Sequence, residues 1–169
     1  TGLVLMFLIA GCGGSGSGSN APSSQGSWTY MVYMAADNNL SDAGMGDINE
    51  MERTGSTSAV NIVVQAEFSQ DYTEEAPANT VRGRIVKDGT TQSIGSELTD
   101  IGNRDMSDPE TLADFITWAA RSYPADHYVL VLWDHGDGWK SYPADSTPYR
   151  GALQDDTSSG TTMSLPDIA

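Results

Sequence analysis

Residues 108–139 read DPETLADFITWAARSYPADHYVLVLWDHGDGW, and this stretch decides the fold. Its first half carries Leu112, Phe115, Ile116, Ala119 and Tyr123 at the spacing of one helix face. Ser107 or Asp108 is placed to cap the first amides, Pro109 takes the first helical position, and Glu110 and Asp114 lie near the positive end of the helix dipole. Pro124 stops the helix. Tyr128 to Trp133 (YVLVLW) is the most hydrophobic run of this part of the chain and reads as a strand covered on both faces.

The same alternation recurs upstream. Thr29 to Ala36 (TYMVYMAA) and Val60 to Phe68 (VNIVVQAEF) have the composition of buried strands. Between them Leu40, Gly44, Ile48 and Met51 recur at helical spacing, with Ser41 or Asp37 available as a cap and Gly55 placed to end the helix. Strand, helix, strand, helix, strand in this order predicts a mainly parallel sheet with helices on its faces. Gln70 to Asn79 is acidic, contains Pro77 and reads as an exposed loop. Thr80 to Val86 alternates, and Asp88-Gly89 predicts a two-residue hairpin to Thr90–Ile94, a small antiparallel pair at a sheet edge.

Function in such sheets collects beyond the carboxyl ends of the strands. Two loops meet that condition. Asp37-Asn38-Asn39 follows the first strand, making Asp37 and Asn38 candidate substrate-binding residues; Asp134 to Trp139 (DHGDGW) follows the last. His135, delivered by a rigid strand into a glycine-flanked loop, is placed for proton transfer. His127 precedes its strand and is expected to face solvent.

The 169 residues carry 8 basic and 23 acidic side chains, a net charge of −15, all of them from Asp37 onward. Such a balance repels phosphate backbones and excludes nucleic acid as a partner; cationic substrates or calcium fit the field better. The uncharged beginning is a different kind of polymer. Leu3 to Ala10 (LVLMFLIA) is far shorter than the roughly 20 residues that span a bilayer and reads as a signal h-region. Cys12 is the single cysteine, so no intramolecular disulfide or multi-cysteine zinc site can form. It ends LIAGC and precedes a Gly/Ser tract, a pattern that resembles the lipobox of bacterial lipoproteins. That resemblance implies a signal segment over 1–11, an acylated Cys12, a flexible tether over 12–27 and a folded domain over 28–169, in an extracytoplasmic, membrane-anchored lipoprotein.

No P-loop, GxSxG or HExxH motif occurs. Asp37, Asn39 and Ser41 match the first ligands of an EF-hand, but Asp42 and Ile48 stand where its glycine and final glutamate belong. Helix capping is the better reading of Asp37, and no residue is assigned to a metal. Asp155-Asp156 reads as a solvated turn before it reads as a calcium ligand.

AADNNL at 35–40, the 108–139 stretch and the later DDTSSGTTMSL together resemble the clostripain family of cysteine peptidases. The resemblance implies a caspase-like α/β sandwich with a mainly parallel central sheet, a Cys/His dyad and cleavage of protein or peptide substrates after Arg or Lys. It implies that His135 is the dyad histidine and that the amide of Gly136 helps form the oxyanion hole; it also raises calcium as a cofactor. Asp137 stands where the family often has serine. In caspases the nucleophile lies roughly 50 residues after the histidine, and the sequence given ends at Ala169. SLPDIA at 164–169 looks like the capped start of a further helix, so the expectation is a domain truncated at its carboxyl end and inactive without the cysteine. Family enzymes are cut between their histidine and cysteine parts, and of the two basic residues after His135, Lys140 and Arg150, the latter lies in a proline-containing loop and is the candidate processing site. The contrasting expectation is a surface-binding lipoprotein that keeps the scaffold without catalysis.

Overall fold

A computed structural model describes residues 3–9, 26–90, 93–135, 153–155 and 161–168. Three parallel strands form the centre: β2 (Trp28–Ala36), β3 (Val60–Phe68) and β6 (His127–Asp134). Antiparallel strands flank them, giving the order β1-β6-β2-β3-β4-β5, with β1 at Leu3–Ile9, β4 at Val81–Arg84 and β5 at Thr99–Asp100. Among the described residues no helix is long and apolar enough to cross a membrane.

Helix α1 (Ser41–Thr54) packs Ile48 with Val32, Met34, Val64 and Ala66 on one face. Helix α2 (Pro109–Ser122) packs Leu112, Phe115 and Ala119 with Met31, Tyr33, Leu130 and Leu132 on the other. The split follows from topology. From β2 the chain crosses one way to β3 and the opposite way to β6, and crossovers of one hand then lay their helices on opposite faces. Asp108 caps α2 by accepting from the Glu110 amide at 2.9 Å, and Ile116 and Tyr123 complete its stripe from partly buried positions.

Helix α1 begins differently from the sequence expectation. Leu40 is its N-cap and no side chain caps it. Ser41, fully buried, instead directs its hydroxyl at the carbonyls of Ala36 and Asn38 and accepts the Ser69 amide at 2.9 Å. One hydroxyl therefore ties the end of β2 and the loop after it to the end of β3. Gly55 ends α1 at φ 66, where a Cβ would stand 2.3 Å from the Lys87 nitrogen.

The edge pair exists, but Asp88-Gly89 does not make its turn. Strand β4 pairs instead with β5, Val81 opposite Asp100. The Asp88 carboxylate folds back onto the Gly89 and Thr90 amides, and the buried Glu52 carboxylate takes the amides of Gly95 and Ser96, so these groups satisfy the segment locally and draw it away from a strand ladder. A second sheet, unforeseen in the sequence, joins β7 (Leu153–Asp155) to β8 (Thr161–Met163); Leu153 and Met163 are buried with the α2-side core. A 3-10 turn over Leu165–Ile168 follows, where the Asp167 carboxylate accepts from the Ser164 amide and hydroxyl.

Leu3–Ile9, within the Leu3–Ala10 run read in the sequence as a signal core, lies in the structure antiparallel to β6, Leu3 opposite Asp134 and Ile9 opposite Tyr128. An uncharged apolar segment is suited both to a signal core and to pairing with the outer edge of a buried strand.

Ser41→Ala leaves the Ser69 amide without its acceptor. The expected loss is about 1–3 kcal/mol, read from the urea midpoint at an unchanged slope.

Candidate active site

The carboxyl ends of β2 and β6 lie side by side, since the parallel register pairs Met34 with Trp133. Because the chain leaves β2 for one neighbour, β3, through α1 and reaches the other neighbour, β6, through α2 on the opposite face, this is the switch point of the sheet, where loops diverge and leave a crevice. The two loops singled out in the sequence meet there. Asn38, 4% exposed, donates from Nδ2 to the Asp134 Oδ1 at 3.1 Å, and the same oxygen accepts the His135 amide at 2.6 Å. Asn38 also turns its own loop, its Oδ1 accepting the Leu40 amide at 2.9 Å. Beneath them, Trp133 Nε1 donates to Asp47 on α1 at 2.7 Å.

His135 is exposed, and its Nε2 lies 2.6 Å from the Oδ1 of exposed Asn39. With an amide oxygen as the partner, Nε2 carries the hydrogen and Nδ1 is left as the basic nitrogen. An imidazole held in one orientation and one tautomer by a neutral amide is equipped to take a proton from an acid presented to Nδ1 and return it. Asn39 was legible only as part of its loop; its contact with His135 spans 96 positions of sequence.

The other residues of interest are distributed as follows. Asp37, at 1% exposure, and Asn38 are buried beneath the site surface. His127, expected in solvent, is half-buried and packs against Trp28 with the rings tilted 33° and 4.5 Å between centroids, because the first residue of β6 pairs with the first of β2. Cys12, Gly136, Lys140, Arg150 and Asp156 lie outside the described residues. Asp155 is not in a solvated turn: it is fully buried in β7, where its Oδ2 accepts the Met106 amide at 2.8 Å.

Asp155 also meets Glu67 on the α2 side of the sheet. Burial first, then the charges of Asp155 and Asp37, push the Glu67 carboxyl up to about 8. Tyr33, on the same face, is held protonated well above the usual phenol range by burial and by the surrounding carboxylates, Glu67 foremost; its hydroxyl donates to the Met106 carbonyl at 3.1 Å.

The family model of the clostripain family, Peptidase_C11, matches residues 32–169. The chain belongs to the clostripain family. Clostripain of Hathewaya histolytica is 31% identical over 124 residues, covering 65% of this chain and 23% of its own, so the chain spans about a quarter of that curated relative. Two solved structures share the fold of these family members. A secreted C11 cysteine protease from Bacteroides thetaiotaomicron, solved with an irreversible peptide inhibitor, superposes with TM-score 0.62 at 27% identity, over 85% of this chain and 38% of its own. A B. fragilis cysteine protease gives TM-score 0.54 at 26% identity, over 72% and 98%. The caspase-like α/β class expected from the sequence is thereby shown, and the clostripain-family match spans β2 from Val32, both helices and the site loops.

Asn39→Ala removes the acceptor that selects the His135 tautomer. The imidazole 15N shifts of the parent should report Nε2–H, whereas the variant should shift toward a mixture of both tautomers with its fold unchanged.

Proposed function

We propose that this chain carries the histidine half of a cysteine endopeptidase that cleaves after arginine or lysine. The observation that carries the reading is His135 at the switch point of a clostripain-family sheet, with Nε2 occupied by Asn39 and Nδ1 left basic. The nucleophile in this reading is a cysteine outside residues 1–169, since Cys12 belongs to the segment before the matched domain.

The chemistry follows from the tautomer. Nδ1 of His135 takes the thiol proton, and the thiolate attacks the scissile carbonyl carbon. The carbonyl oxygen gains negative charge and is met by backbone N–H donors, for which this reading takes the amide of Gly136 as one. As the tetrahedral species collapses, the imidazolium returns its proton to the leaving amine, and water then releases the acyl group by the same exchange. Asn39 keeps the ring from turning over as its charge changes. Asp37 and Asn38 enter as supports that hold the substrate-facing loop, Asn38 by its bonds to Asp134 and Leu40.

A peptide substrate accords with the peptide inhibitor bound by the B. thetaiotaomicron relative. A basic side chain accords with the net charge of −15, which attracts cationic peptides toward the protein. The secreted character of that relative and the LIAGC sequence ending at Cys12 support an extracytoplasmic location with a lipid anchor on Cys12.

In the full-length protein His135→Ala should lower kcat/KM on an arginyl peptide by at least about 100-fold with an unchanged circular dichroism spectrum, while His127→Ala should remain near the parent. Equal activity of the two variants would mean that His135 is not the base, and a full-length protein without any hydrolysis would favour the binding lipoprotein.

Arg150 gives a second measurement. Mass spectrometry of the active full-length protein should find a fragment beginning at Gly151, absent from His135→Ala; an active enzyme that stays a single chain refutes processing there.

A further inference from the structure

The start of α2 borders a cavity of about 260 Å³ that the peptidase chemistry does not use. Gln65 of β3, 1% exposed, forms its floor. Ile101, Asp108 and Thr111 are its half-buried walls, and Arg104, Glu110 and Asp114 stand at its exposed rim. None of these residues belongs to the loops around His135, and β2 separates β3 from β6 in the sheet.

The group at the floor decides what the cavity can hold. Gln65 donates from Nε2 to the Met106 sulfur at 3.6 Å. Met106 does not line the cavity, so the opposite, carbonyl side of the amide is the one that faces it. That Oε1 is buried and accepts no hydrogen bond from any described residue, which carries the desolvation cost of an unmatched acceptor. A fitting ligand must bring a donor to it, and an anion would be repelled there. Nor does the helix terminus invite an anion, because the Asp108 carboxylate already takes the Glu110 amide at 2.9 Å.

We propose that this cavity binds a primary alkylammonium group, the head of a lysine side chain or of a free polyamine. An ammonium is a donor-only point charge with three N–H groups. Floor and walls present acceptors from separate residues: the Gln65 carbonyl, the Asp108 carboxylate and the Thr111 hydroxyl. A guanidinium is a poorer match. Its rigid fork seeks both oxygens of one carboxylate, but one oxygen of Asp108 is engaged by the Glu110 amide and one of Asp114 by Arg82 at 2.8 Å. A bare metal ion would leave most of the volume unfilled, whereas Ile101 gives a methylene stem an apolar wall. Arg104 turns its Nε to the Ile101 carbonyl at 3.2 Å, and Glu110 supplies the rim charge that attracts a cation.

The assignment stands apart from the peptidase reading, and its test reads binding without hydrolysis. Full-length protein, freed of metal with EDTA and labelled at its isoleucine δ1 methyls, is titrated at low ionic strength with cadaverine or with Nα-acetyl-lysine amide. The Ile101 signal, assigned by its loss in Ile101→Val, is followed by NMR. It should shift saturably with at least one of the two amines, at a Kd of roughly 1 mM or tighter. Nα,Nε-diacetyl-lysine amide, which lacks the charge, should leave it unmoved. A response to cadaverine shows that a free amine suffices; a response to the lysine derivative alone identifies the side chain of a polypeptide.

Gln65→Leu removes the floor oxygen and should be no less stable than the parent, while binding at least about 10-fold more weakly. Glu110→Lys, at an exposed position away from the core, should weaken binding about threefold or more. Glu50→Gln on α1 should bind as the parent does. An Ile101 methyl that moves with neither amine overturns the proposal. So does one that moves equally with the diacetylated compound, or a Gln65→Leu protein that binds like the parent.

Discussion

The register of β2 against β6 is the constraint from which the site follows. Pairing Met34 with Trp133 brings Asn38 and Asn39 level with Asp134 and His135, so that two buried polar side chains and two exposed ones meet as pairs. A slip of one residue would exchange the faces of a strand that is buried on both sides. It would send Tyr33 toward α1 and Met34 toward the carboxylates. The tight core on each face thus fixes the register that the loops beyond the strand ends depend on.

The two faces of the sheet are chemically unequal. Val64, Ala66 and Phe68 of β3 meet α1 in an apolar layer, whereas Val63, Gln65 and Glu67 alternate onto the α2 side. That side becomes more polar toward the strand ends, where Tyr33, Glu67, Asp37 and Asp155 gather. A short β7–β8 sheet completes the layer beside α2, and its Leu153 and Met163 supply the apolar contact that lets Asp155 be carried into the interior.

Much of this was legible because periodicity and length agree in the long elements. The three central strands and both helices stand within a residue or two of where YVLVLW, TYMVYMAA, VNIVVQAEF and the stripes around Ile48 and Phe115 place them. The two loops that form the site were legible for a topological reason, the convergence of parallel strand ends. Contacts decided by tertiary partners were not legible. Ser41 abandons its helix cap because carbonyls of β2 lie closer to hand, and the Asp88 turn fails as a hairpin because Glu52, 44 positions before Ser96, captures that amide. The burial of Glu67 had a signal, an acidic residue two positions after Gln65 within an apolar run, which puts both on one face of a covered strand.

The outer edge of β6 bears on the proposed signal segment. Seven residues of β1 satisfy the backbone donors and acceptors there, immediately beside the strand that bears Asp134. A signal peptidase cutting before Cys12 would take that strand away. The exposed edge is then a template of open amides and carbonyls flanking a hydrophobic strand, the kind of surface that recruits whatever extended chain is at hand. Maturation would in that case be a strand exchange as well as a cleavage, and the identity of the replacement strand would determine whether the product is an ordered monomer or a polymer joined edge to edge.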